Sequence, residues 1–173
     1  MKIRMATIVV PYFDDAEVEL AQEADRDDAK SIVALNAFLA LTSADREADS
    51  RHVFACYKDF YAETGEPEWL DEEMGVPASP VEIWNSIRPG PLTLRKGWGD
   101  DDNWYVVIEA ECAWDAEDGI MLVWRNGTTL SKVGPYNGHL TNANAYGDET
   151  LRDVVYKARN AEYMTRIVEL GSR

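Results

Sequence analysis

The stretch Asn103–Gly127, NWYVVIEAECAWDAEDGIMLVWRNG, constrains this chain more than any other. In its first half Trp104, Val106, Ile108, Ala110, Cys112 and Trp114 recur at every second position. Strand side chains alternate, so these six share one face. The other face carries Tyr105, Val107, Glu109, Glu111 and Ala113, apolar at one end and charged at the other. Ile120–Arg125 reads as a second strand with apolar residues on both sides, which predicts a central strand covered on both faces. The acidic segment Asp115–Gly119 reads as the turn between them, ending in the residue that takes positive φ most readily.

The remaining segments supply the layers for such a sheet. Lys2–Val10 and Ala16–Glu23 have strand character and are separated by a turn at Pro11–Asp15, so they predict a hairpin. Asp27 or Asp28 caps a helix over Ala29–Leu41, with Ile32, Leu35, Phe38 and Leu39 as its buried stripe. A second helix starts near Ser43–Asp45 and runs to Thr64, ending at Gly65, with Val53, Phe54, Tyr57, Phe60 and Tyr61 inward. Its outer face holds Asp45, Glu47, Asp49, Arg51 and Lys58, and His52 lies beside that acidic face.

Glu66–Ala78, EPEWLDEEMGVPA, reads as an acidic loop exposing Trp69, Leu70 and Met74. Ser79-Pro80-Val81-Glu82 fits a capping box before a short helix that buries Ile83, Trp84 and Ile87. Pro89-Gly90-Pro91 is expected to break the chain before a strand at Leu92–Lys96, and Thr129–Val133 adds another. Gly134–Gly147 is polar and turn-rich. Glu149–Leu170 is helix-like, with a final strand near Tyr163–Leu170 as the alternative. Together these predict an α+β fold in a single domain over residues 1–173. It is a mainly antiparallel twisted sheet with a helical hairpin and short helices packed on it, with room for a helical extension over 148–173.

The 173 residues carry 17 basic and 32 acidic side chains, a net charge of −15. That balance argues against binding nucleic acid or an anionic membrane, where clustered Lys and Arg must meet phosphates. It fits three readings: a well-solvated surface, a docking face for a cationic protein with fast, electrostatically steered association, or mimicry of a nucleic acid by acids spaced like phosphates. No stretch is long and apolar enough to span a bilayer, and the start lacks a signal-peptide pattern. Cys56 and Cys112 belong to no CxxC or His-paired arrangement, as expected for small buried thiols in a reducing cytoplasm.

Reacting groups are sparse. Asp115, Glu117 and Asp118, with Glu111 upstream, would offer oxygens to a hard cation, but their spacing is not an EF-hand and a tight turn explains them. His139 stands among Tyr136, Asn137, Asn142 and Asn144 in a polar, loop-like context, and a catalytic role would need a partner acid or nucleophile brought to hydrogen-bond distance by the fold. No Gly-rich phosphate loop, GxSxG or HExxH occurs. No metal or cofactor is expected, and the first expectation is a binding protein with no catalytic residue. Its candidate contacts are Glu66, Glu68, Trp69, Asp71, Glu72 and Glu73, an aromatic ringed by charge. The alternative is a small hydrolase or metal-dependent enzyme using His139 with Asp115 and Glu117, which would require these side chains to converge in one pocket.

Cys112-Ala113-Trp114-Asp115-Ala116-Glu117-Asp118-Gly119-Ile120, followed by Val123–Gly127 and Leu130–Gly134, resembles an uncharacterised bacterial domain family. That family has a Cys-x-Trp-x-x-Glu-His-Gly core and then a strand ending in Arg-x-Gly. Asp118 stands where its usual pattern has His. Val10-Pro11-Tyr12-Phe13 and Glu82–Trp84 are also similar to it. The family resembles cytoplasmic immunity-type proteins found near secreted bacterial toxins, which implies binding and neutralising a toxin domain. The motif itself reads as structural, with Trp114 and Ile120 in the core and Gly119 in the turn.

Overall fold

A computed structural model describes residues 6–21 and 28–167. β1 (Thr7–Val10) and β2 (Ala16–Glu19) form the expected hairpin, pairing Val10 with Ala16. A 3-10 turn at Pro11–Phe13 joins them, and Asp14 and Asp15 take positive φ. The outer ends assigned to these strands, Lys2–Met5 and residues 22–23, lie outside the described residues.

The main sheet has six strands in the order β3 (Ile87–Lys96), β4 (Trp104–Cys112), β5 (Asp115–Arg125), β6 (Thr129–Gly134), β7 (Val154–Tyr156) and β8 (Thr165–Arg166). Each neighbouring pair is antiparallel except β6 and β7, which run parallel. β4 and β5 hold the centre as the alternation predicts. Trp104, Val106, Ile108, Ala110, Cys112 and Trp114 all enter one core with Ile120, Leu122 and Trp124. Tyr105, Val107, Met121 and Val123 form a second, smaller core on the opposite face, closed by Leu140.

The turn between these strands is not where the acids are. Cys112 pairs with Asp115, so the chain reverses at Ala113–Trp114, and Asp115–Gly119 belongs to β5. The register shifts there, and Gly119 at φ +63° fills an irregular strand position where a Cβ would press on the Ala110 carbonyl oxygen at 2.5 Å. Glycine serves turns and bulges for the same conformational reason, so its presence alone does not tell them apart. Likewise Pro89-Gly90-Pro91 does not break the chain: β3 runs through it with a bulge between Pro89 and Leu92.

Two helices cover the first face. α1 (Ala29–Leu39) is capped by Asp28, whose carboxylate accepts from the Lys30 N–H at 2.7 Å. It buries Ser31, Ala34 and Phe38, while Ile32, expected inside, is 48% exposed. The helix instead turns Ala34 and Phe38 inward, and its backbone at these two residues comes close against buried Gly127, where a Cβ would not fit. α2 (Ser43–Glu63) begins with a reciprocal Thr42–Asp45 capping box. Trp124 is fully buried between these layers, 4.7 Å from Phe38 and 5.1 Å from Tyr12, ring centre to centre.

Three further expectations change. The acidic loop contains a helix, α3 (Glu68–Met74), with Leu70 fully buried beneath it. Ser79 makes no side-chain cap, although Glu82 accepts from the Ala78 N–H at 2.6 Å, and Pro80–Ser86 is a 3-10 helix with Ile83 and Trp84 buried. Residues 149–167 form no continuous helix, and β8 lies where the alternative placed a final strand. They comprise 3-10 turns at Glu149–Leu151 and Ala161–Tyr163 with β7 and β8, while residues 168–173 lie outside the described set. Buried Asp59 of α2 dictates this: its carboxylate accepts from the Tyr156 hydroxyl (2.6 Å) and the N–H groups of Arg159 (2.9 Å) and Asn160 (3.1 Å). Backbone N–H groups pointed at a side chain in this way are not available to a continuous helix.

Candidate partner-binding face

α3 is short and its orientation is fixed from below. Leu70 anchors it, and Tyr61 of α2 donates its hydroxyl to Asp71 at 3.0 Å. Residues three and four apart share a helix face, so Trp69 lies beside Glu72 and Glu73. Trp69 is 53% exposed, and Glu66, Glu68, Glu72 and Glu73 are all exposed. Five of the six residues expected at a contact surface are thus exposed, along an α3 ridge on which Trp69, Glu72 and Glu73 share one helix face. The sixth, Asp71, is half-buried and turned toward Tyr61. No Lys or Arg occurs between Glu66 and Met74, and Arg88 borders the same depression as Glu73.

Other acids lie elsewhere. Glu109, Glu111, Glu117 and Asp118 are exposed at the β4–β5 end of the sheet, and Asp100–Asp102 sit in the loop after β3. Asp115 accepts from the Asp118 N–H at 3.1 Å, which ties the acidic segment to itself. Among the described residues no three His, Cys, Asp or Glu side chains are grouped to hold a metal ion.

His139 is not brought to Asp115 or Glu117. Its neighbour Gly138 accepts from Arg95 at 3.1 Å near the last residue of β3, whereas Asp115 pairs with Cys112, which faces Ile87 at the first. Those two ends lie roughly 20 Å apart along the strand. His139 instead shares a cavity with Arg95, Lys96, Trp98, Leu140 and Asn144. His52 is buried, 2.8 Å from the Thr165 hydroxyl, and packs the C-terminal strand onto α2. Both cysteines are free and buried, and burial pushes the Cys112 thiol up to about 12 and that of Cys56 higher still. Neither is a ready nucleophile at neutral pH.

Sequence reading passed over Lys132. It is 1% exposed on β6, donating to Asn137 Oδ1 at 3.0 Å and lying 3.8 Å from the Met121 sulfur. Burial pulls its ammonium down to about 8. Between that value and the ordinary one, the unfolded chain binds more protons than the folded chain, so stability rises with pH through this window. Below about 8 the full burden of the buried charge remains. Lys132→Met is therefore expected to stabilise the protein by about 1–3 kcal/mol at pH 7. Paired urea titrations should show that advantage shrinking above pH 8 and vanishing near pH 10.5.

Residues 4–140 match the family described as Domain of unknown function (DUF6985). The chain belongs to this family. The match spans β1 through Leu140 and so includes the second core, most of the first, α3 and the Cys112–Gly119 motif, while α4 (Asn142–Tyr146), β7 and β8 of this DUF6985 protein follow it, with Val155, Tyr156 and Ala158 of the first core. No curated protein and no solved structure matches the chain. Among the described residues no helix is long and apolar enough to cross a membrane.

Proposed function

We propose that this DUF6985 protein is an acidic cytoplasmic binding protein that neutralises a cationic bacterial toxin domain by direct contact, as an immunity protein does. The observation that carries the reading is the α3 ridge: Trp69 stands half out of the surface among four exposed glutamates, on a helix pinned by buried Leu70. An exposed indole supplies contact area at little entropic cost, and the surrounding carboxylates steer a basic partner toward it. The net charge of −15 extends that attraction beyond the ridge. The resemblance to immunity-type proteins points the same way. His139, Asp115 and Glu117 lie at different ends of the sheet, so no convergence favours the hydrolytic alternative.

The test is binding to the basic domain of a toxin encoded beside this gene. Association is expected to slow as salt rises from roughly 0.05 to 0.5 M. Trp69→Ala, and separately the pair Glu72→Lys and Glu73→Lys, should each weaken binding about tenfold or more. All three positions are exposed, so the variants should fold normally. Unchanged affinity in both variants, or a gene neighbourhood without such a toxin, would refute the proposal.

A further inference from the structure

At the end of the sheet where β3 terminates, a cavity of about 380 Å³ is lined by Arg95, Lys96, Trp98, Gly138, His139, Leu140 and Asn144. We infer that this cavity binds a small molecule bearing an oxyanion on a flat ring, of the size of a nucleoside monophosphate or an aromatic carboxylate. The inference is independent of the α3 ridge and of any partner docked there.

Charge is the first argument. The chain has almost twice as many acids as bases, yet no acidic side chain lines this cavity. Among the described residues neither Arg95 nor Lys96 has a carboxylate within ion-pair distance, whereas Arg46, Arg88, Arg125, Arg152 and Arg159 each have one. Arg95, unpaired on so acidic a protein, holds charge for an external anion, and its guanidinium offers a planar fork to carboxylate or phosphate. Lys96, the last residue of β3, also lines the cavity and adds to its positive potential.

Shape is the second. Trp98 is 78% exposed, more than any other large apolar side chain described, and it lines the cavity together with buried Leu140. An indole held at the mouth of a cationic cavity is a platform on which a flat ring stacks while its acidic group reaches the cations. The volume lies at the lower end of the range for small-molecule sites. Asp100, Asp101 and Asp102 line a neighbouring depression that Trp98 and Asn144 also border, and there they meet Arg152.

The rim is held in place before any ligand arrives. Buried Lys132 donates to Asn137 Oδ1, and that same oxygen accepts from the His139 N–H at 3.1 Å. Arg95 donates to the Gly138 carbonyl oxygen at 3.1 Å. Two cations therefore fix three consecutive rim residues, which lowers the entropy lost on binding.

The experiment is calorimetric titration of the full chain with adenosine 5′-monophosphate and with indole-3-acetate, against adenosine and inorganic phosphate as controls. At least one of the two charged ring compounds should bind with a dissociation constant below about 1 mM. The controls, each lacking one recognised feature, should bind about tenfold more weakly. Which compound binds assigns the oxyanion as phosphate or carboxylate. Lys96→Met and Trp98→Ala should each weaken binding about tenfold, and since both residues are exposed, their unfolding curves should match the parent chain. Failure of both compounds to bind at about 10 mM overturns the inference. So does binding that neither variant alters, or an acidic peptide that binds through these residues when neither small compound does.

Discussion

Gly127→Ala is expected to destabilise the protein by about 4 kcal/mol or more, enough to leave much of it unfolded at 37 °C. Gly127 adopts φ +72° after β5, and a Cβ there would overlap the carbonyl oxygen of Ala34 and meet the backbone of Phe38. Both obstacles are helix backbone, so neither can rotate aside as a side chain would. Relief requires α1 to lift from the sheet, which opens the packing of Phe38 on Trp124. Gly65 supplies the control. Its φ is +78°, but nothing lies within 4 Å of an added Cβ, so Gly65→Ala should lose only about 1–2 kcal/mol from the conformation itself. Denaturant titration of the two variants separates backbone strain from the close approach. Equal losses would mean that the approach of α1 contributes nothing.

Asp59→Ala should cost about 3–5 kcal/mol, because it strands three donors inside the protein. The carboxylate is 1% exposed and takes the Tyr156 hydroxyl and two backbone N–H groups. Burial and the neighbouring carboxylate push the Tyr156 phenol well up, so it remains a donor throughout the ordinary pH range. Asp59→Asn keeps the shape but turns an amide toward some of these donors, and about half the loss is expected. Amide hydrogen exchange adds a local readout. Protection at Arg159 and Asn160 should fall further in the alanine variant than protection along β4, and a uniform fall would show that Asp59 does not specifically hold the C-terminal strands.

These two residues also mark where sequence reading succeeds and where it stops. The faces of β4 and β5 were legible from period-two alternation, and the ends of α2 from Ser43–Asp45 and Gly65, because such signals act within a few residues. Asp59 was not legible, although it continues the side of α2 that carries His52 and Cys56, since a polar residue on a long helix reads as solvated until its partner is known. That partner lies 97 positions away, which is also why 149–167 passed for a helix. α3 was hidden by its own composition, with one buried leucine among four acids, a tryptophan and a methionine. Its acids could be named as a surface, but their common orientation needed the helix. The cavity residues offered a cue in Arg-Lys-Gly-Trp-Gly at 95–99, two cations beside an aromatic. Joining them to His139 and Asn144 required the chain after β6 to fold back across the second core, which no local pattern announces.

The parallel partner of β6 has one more consequence. β7 and β8 come from residues 154–166, after the segment matched to the family, and β7 lies along the outer flank of β6. A buried strand left with bare N–H and C=O groups is a template on which a second chain can add itself. This C-terminal annex therefore acts as a self-supplied stopper, satisfying from within a flank that would otherwise recruit another molecule.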